Sequence, residues 1–194
     1  MSTARLFFAL WPDDFTRAAI AGAVAPTVRE VTGRGEGGAA RPVPAANYHF
    51  TLAFLGAVPH DELERLCLVA EQSAEAYGQS GLGPISITVD TLEHWRKPQV
   101  LVATSATTSP AADSLAERLS RDLIAGGFSP DSKPFRPHLT LARKVTLPFA
   151  ATPLRPRLLT FKSFALVESK TRPAGSAYVV LRTFPLGNPP DVYR

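Results

Sequence analysis

Apolar residues along this chain switch between two spacings, one of period two and one near 3.6, and the switches outline its elements. Arg5–Leu10 is a nearly continuous apolar run of strand length, and Pro12-Asp13-Asp14 supplies a turn and a helix start before the helically spaced stretch from Phe15 to Val31. Gly33 to Pro44, rich in Gly, Ala and Pro, reads as a loop that delivers the chain to an alternating segment, Tyr48 to Leu55, predicted to be a strand. Helical spacing returns between Pro59 and Tyr77 through Leu63, Leu66, Val69 and Ala70. Ile85–Leu92 and Val100–Ala103 are strand-like runs around Trp95 and Pro98, and Ser109 to Ile124 is an amphipathic helix that Gly126-Gly127 stops. His138–Ala142, Phe161–Glu168 and Tyr178–Phe184 close the pattern as strands separated by loops bearing Pro and Gly.

Composition changes this picture little. The 194 residues are 45% apolar and 20% charged, ordinary for a globular protein, and the chain is read as one unit over residues 1–194. No apolar run approaches the ~20 residues of a membrane span, and Leu6 to Trp11 is shorter than a signal-peptide core, so the expectation is a cytoplasmic protein with no membrane partner, acting as a monomer. The single cysteine, Cys67, sits on what reads as the buried face of a helix and lacks any activating neighbour in sequence.

Charge is more informative. Residues 1–132 carry 10 Lys and Arg against 15 Asp and Glu, whereas residues 133–194 carry 11 against 2. A basic C-terminal third suits an anionic ligand such as a phosphate or a short nucleic acid, although a solvated basic surface accounts for charge alone equally well.

One string occurs twice. Residues 49–52 are His-Phe-Thr-Leu and residues 138–141 are His-Leu-Thr-Leu. In a strand, His and Thr then share one face while the apolar residues share the other. Opening a cyclic phosphodiester needs a base toward water and an acid toward the leaving oxygen, and imidazoles do both near neutrality. Thr51 and Thr140 can donate to the non-bridging oxygens, and the scheme requires neither metal nor cofactor. A lone His-x-Thr-x string is more simply a half-buried strand with threonine present for its β propensity; the pair favours chemistry.

With these residues in view, the chain resembles the 2H phosphoesterases, specifically the bacterial RNA 2′,3′-cyclic phosphodiesterases historically called 2′-5′ RNA ligases. The resemblance rests on Arg5–Leu10, on Asn47–Gly56 and Phe135–Arg143 around the two motifs, and on Leu166-Val167-Glu168-Ser169-Lys170. It implies an α+β fold of two pseudo-symmetric lobes, with largely antiparallel sheets flanked by helices and one motif from each lobe in a central groove. It also implies His49 as proton donor, His138 as proton acceptor, a 2′-phosphomonoester product and, in some members, reverse joining of RNA ends. Arg143 becomes a candidate phosphate contact, although its odd offset from His138 places it on the wrong face unless the strand ends or bulges first.

Phe7, Phe8, Tyr48 and Phe135 lie beside the strands expected to flank the groove. Core packing accounts for most of them, and Phe8 and Tyr48 are assigned to the substrate. Trp95-Arg96-Lys97 is either a substrate rim or a hairpin turn. Two other readings stay open: the same site acting on a small cyclic nucleotide such as a cyclic ADP-ribose phosphate, and an RNA-end binding module without turnover. Gly33, Gly35 and Gly38 match G-x-G-x-x-G but lack the flanking strand and helix of a dinucleotide site, and His60 and His94 have no metal-ligand spacing with each other or with Cys67.

Overall fold

The computed structural model describes residues 2–33, 40–146, 148–172 and 175–187; the glycines at 35 and 38 lie outside them. The elements run β1 (Thr3–Leu10), α1 (Asp14–Gly33), β2 (Arg41–Pro42), β3 (Phe50–Pro59), α2 (Leu63–Gly78), β4 (Ile85–Trp95), β5 (Val100–Thr104), α3 (Pro110–Ala125), β6 (His138–Arg143), β7 (Thr152–Phe161), β8 (Ser163–Arg172) and β9 (Gly175–Pro185). Two sheets result, ordered β3-β1-β8-β9 and β2-β6-β5-β4-β7, and every pairing is antiparallel. The orders β3-β1-β8-β9 and β6-β5-β4-β7 correspond position by position, with β2 added at one edge. This is the two-lobed α+β arrangement with antiparallel sheets.

Local chemistry explains the boundaries. Asp13 caps α1, its Oδ1 accepting from the Thr16 amide at 2.6 Å, and Ile20, Val24, Val28 and Val31 then recur on the buried face. Ser109 caps α3, followed by Pro110 at the first turn. At its other end the Gly127 amide donates to Ile124 and the Phe128 amide to Leu123, a Schellman closure made by Gly127 at φ 83°. Phe128 and Leu123 both join the core behind it.

Two elements differ from the sequence reading. Part of the loop assigned to Gly33–Pro44 is strand β2, because Arg41 and Pro42 pair with Arg143 and Ala142. The segment before Phe161, which Pro153 and Pro156 make look like loop, is strand β7. It lies at a sheet edge, where a missing amide donor is tolerated, and its register with β4 shifts between Val89 and Thr91. Phe161 consequently ends β7, and β8 begins at Ser163.

A main apolar cluster draws on both sheets and all three helices. On β1, Leu6, Phe8 and Leu10 enter it, while Phe7 and Ala9 point the other way into a smaller cluster with Ala165 and Val167. Burial on both faces is why β1 reads as a continuous run rather than an alternation. Helix α2 packs on α3 and β9, α3 also meets β3 and β4, and the two motif strands, β3 and β6, contact each other.

Candidate active site

The same irregularity sits in both motifs. On β3, Thr51 pairs with Ala9 and Ala53 with Phe8, leaving Leu52 as an extra residue; on β6, Thr140 pairs with Val102 and Ala142 with Leu101, leaving Leu141 extra. Each bulge buries two consecutive residues, Leu52 and Ala53 or Leu141 and Ala142, and inverts the alternation beyond them. Arg143 is thereby turned onto the face of His138 and Thr140, which resolves the odd offset. The counterpart of Arg143 on β3 is Phe54, which also faces the cleft and carries the Arg5 guanidinium 4.9 Å from its ring centroid.

His49 immediately precedes β3 and His138 opens β6, and both are anchored alike. The Nδ1–H of His49 donates to the Asn47 carbonyl at 2.6 Å, and that of His138 to the Arg136 carbonyl at 2.8 Å. A carbonyl can only accept, so the proton is placed on Nδ1 and Nε2 is left free for chemistry. The ring environments differ. His49 stacks on Trp11 (5.2 Å, 14°) and meets Phe7 (4.8 Å) and Tyr178 (5.2 Å, edge-on). His138 meets Trp95 at 4.5 Å, and Glu93 accepts from both the Trp95 indole N–H (2.8 Å) and Arg136 (2.7 Å), whose guanidinium lies 4.5 Å from the Trp95 ring.

Burial disfavours the imidazolium at both positions. It pushes the pKa of His49 down to about 4, helped by the positive charges of His138, Arg143 and Arg17 and opposed by the Asn47 carbonyl. His138 is lowered too, by burial first and then by Arg136 and Arg143, against the Arg136 carbonyl. In the free protein both shifts favour the neutral ring. The sign for stability follows: an unfolded His49 takes up its proton near pH 6.5 whereas the folded one resists until about pH 4, so stability is lost between those values as pH falls. The gap corresponds to about 3 kcal/mol. His49→Asn should lose correspondingly less unfolding free energy between pH 7 and pH 4.5, measured by denaturant melts; an unchanged loss would show that His49 titrates normally.

The histidines open on a cleft of about 1090 Å³ that Thr51, Thr140 and Arg143 also line. Neither threonine hydroxyl is engaged by another described protein group, and Arg143 forms no ion pair with a described carboxylate. Arg5, Lys97, Lys133, Arg136 and Arg143 stand around the cleft against one described carboxylate, Asp131, which Lys133 holds at 2.8 Å. An anionic ligand fits this field. The basic third of the sequence supplies only part of it. Arg155 and Arg157 lie on β7, at the far edge of its sheet, and do not line the cleft.

Two assigned contacts are corrected. Phe8 has no exposed surface, because β1 points it into the core against Phe164 and Phe184, both at 5.9 Å. Tyr48 is 3% exposed and likewise packed in the core. One residue along β1, the strand period brings Phe7 to the cleft instead, and Phe135 lines it too. Trp11, Arg17, Glu93 and Tyr178 carry no sequence signal of this role, since nothing near His49 or His138 in the chain marks them as neighbours. Trp95 and Lys97 line the cleft, and Arg96 and Lys97 lie in the hairpin turn between β4 and β5.

Other histidines have local partners: His60 donates to the Ser2 carbonyl (2.9 Å) and His94 to the Val145 carbonyl (2.9 Å). Among the described residues no three His, Cys, Asp or Glu side chains are grouped to hold a metal, and no helix is long and apolar enough to cross a membrane. Cys67 is buried, and burial pushes its thiol pKa up.

Two antiparallel lobes that each present an anchored histidine and a threonine to one basic cleft define a two-histidine phosphoesterase architecture. Comparison with known proteins gives the family: the model of the 2′-5′ RNA ligase superfamily matches residues 20–172, and the chain belongs to that superfamily. An RNA 2′,3′-cyclic phosphodiesterase of Bacillus subtilis is 33% identical over 103 residues, 52% of this chain and 53% of the relative, so the match spans about half of that relative's length. An RNA 2′,3′-cyclic phosphodiesterase of Thermus thermophilus is 30% identical over 192 residues, covering 94% of this chain and 90% of the relative. Among solved structures, E. coli LigT complexed with 3′-AMP superposes with a TM-score of 0.77 at 26% identity, over 95% of this chain and 99% of that one.

Proposed function

We propose that the protein hydrolyses RNA ends bearing a 2′,3′-cyclic phosphate to 2′-phosphomonoesters, as one bilobal unit. The observation that carries this reading is the pair of Nδ1-anchored imidazoles, each with a free Nε2, opening on one cationic cleft. The activity named for the Bacillus and Thermus relatives, and the 3′-AMP held by E. coli LigT, support the same substrate class.

Water attacks phosphorus while Nε2 of His138 takes its proton, and Nε2–H of His49 protonates the departing ribose 3′ oxygen. The P–O3′ bond breaks, the 2′-phosphate remains, and the two histidines exchange protonation states until a proton is lost from His138 and regained at His49. Thr51 and Thr140 donate to the non-bridging oxygens, and Arg143 balances their charge. The low pKa of His49 in the free protein is compatible with its donor role, because a bound phosphate anion raises it. With an incoming 5′-hydroxyl in place of water, the same groups support 2′-5′ joining of RNA ends: the 5′ oxygen attacks the cyclic phosphorus as its proton passes to Nε2 of His138, and the P–O3′ bond breaks as His49 protonates the 3′ oxygen, leaving a 2′-5′ phosphodiester.

The test is incubation of an RNA oligonucleotide ending in a 2′,3′-cyclic phosphate with the protein in EDTA, the product isomer being read by chromatography. Conversion to the 2′-phosphate is expected. Conversion of ADP-ribose cyclic phosphate alone would move the assignment to small nucleotides, and binding without conversion would make the cleft a recognition module.

A further inference from the structure

The duplicated motif makes His49 and His138 alike in backbone and hydrogen bonding, and each ring packs on a tryptophan that carries an arginine, Trp11 with Arg17 and Trp95 with Arg136; the pair beside His49 differs in its parallel stacking, 14° against 48°, and in its buried guanidinium. Helix α1 begins at the end of β1, and its first turn carries Arg17, which is only 9% exposed. That guanidinium donates to the Pro12 carbonyl at 2.7 Å, pairs with Asp14, and lies 5.3 Å from the centroid of the Trp11 ring. The Trp11 ring in turn stacks almost parallel to the His49 imidazole. Trp11 is not among the residues lining the cleft, and its stacking contact there is with His49.

We propose that Arg17 and Trp11 are a positioning pair for His49: the buried guanidinium anchors the indole, and the indole fixes the plane of the imidazole so that Nε2 is held toward the cleft. One hydrogen bond at Nδ1 leaves a ring free to rock about that bond. A parallel ring on one side and Phe7 and Tyr178 on the others remove the freedom, and a catalytic ring misplaced by ~1 Å costs about 10²-fold in rate. The pair also acts by charge. The groups that face His49 are Arg17 from α1, His138 and Arg143 from β6 and the Tyr178 ring from β9, and Arg17 adds a positive contribution smaller than that of burial, His138 or Arg143. Asp14 neutralises it weakly, because the carboxylate side chain is 95% exposed and solvated.

This inference uses the catalytic reading above for its rate arm but not for its titration arm. The ring protons of His49 are followed by NMR against pH in the free protein, and kcat and KM are measured on a cyclic-phosphate RNA oligonucleotide. Trp11→Leu is expected to lower kcat roughly 10- to 100-fold with KM nearly unchanged. Trp11→Phe, which keeps a ring in place, should recover most of that loss. Arg17→Met should raise the His49 midpoint only slightly above about 4, because burial, the main cause of the depression, remains, while Arg17→Lys keeps it low and still loses kcat, since an ammonium cannot anchor the indole flat. If Arg17→Met does not fold, the Arg17→Lys and Trp11 variants carry the rate test. Unchanged kcat in Trp11→Leu, or a loss confined to KM, would overturn the positioning role; an unmoved His49 midpoint in folded Arg17→Met would overturn the electrostatic one. Were the RNA not a substrate at all, the titration arm would still decide the second point.

Discussion

Alanine at either His49 or His138 is expected to lower hydrolysis of a cyclic-phosphate RNA end by roughly 10²- to 10⁴-fold, the range a positioned acid or base contributes. The double variant should be little slower than the worse single one. Acid and base act in one transition state, and removing the first already forfeits most of what the second supplies. Binding of the uncleaved substrate should change far less, because Arg5, Lys97, Arg136 and Arg143 still attract the phosphate. The measurement is single-turnover cleavage with the folded variants. A single histidine variant that keeps wild-type turnover would remove that residue from the proton relay.

The second large effect belongs to the threonines. Thr51→Val and Thr140→Val keep the β-branched shape each strand needs but delete the hydroxyl, and each should lower kcat by about 10²-fold, as loss of an oxyanion donor does. Both hydroxyls are unengaged by described protein groups, so their removal leaves no buried partner unsatisfied, and thermal stability should barely move. Equal rates in wild type and both variants would leave the non-bridging oxygens to Arg143 and the other cations.

The pH dependence adds a check on the same site. With both imidazole pKa values lowered in the free protein, kcat/KM should peak on the acidic side of 6.5, and kcat, which reports the bound state, should peak at higher pH than kcat/KM. A common optimum for the two would mean that the bound phosphate does not raise the histidines' affinity for protons.

Much of this was present in local patterns. Period-two and period-3.6 spacing marks β1, α1, β3, α2, β4, β5, α3 and β6, because each of those segments buries one face or, for β1, both. The repeated His-x-Thr-x string marks the two histidines and two threonines, since a strand places alternate side chains together without any knowledge of the rest of the fold. Edge strand β7 escaped because prolines at 153 and 156 look like loop wherever pairing partners are unknown. Phe8 and Tyr48 were misassigned for a related reason: within an apolar run buried on both faces, adjacent aromatics differ only in which side of the sheet holds the cleft.

Sequence by itself thus determined the element types outside β2 and β7, the mixed α and β class and the four motif side chains. Tertiary structure decided that β3 and β6 meet, that matching bulges at Leu52 and Leu141 turn Phe54 and Arg143 into the cleft, and that Trp11 with Arg17, and Trp95 with Glu93, stand behind the two histidines. The physical reason is range. Strand and helix periods are written in neighbouring residues, whereas a bulge is defined only against its partner strand, and the field at an imidazole sums charges brought to it from α1 and from the other sheet.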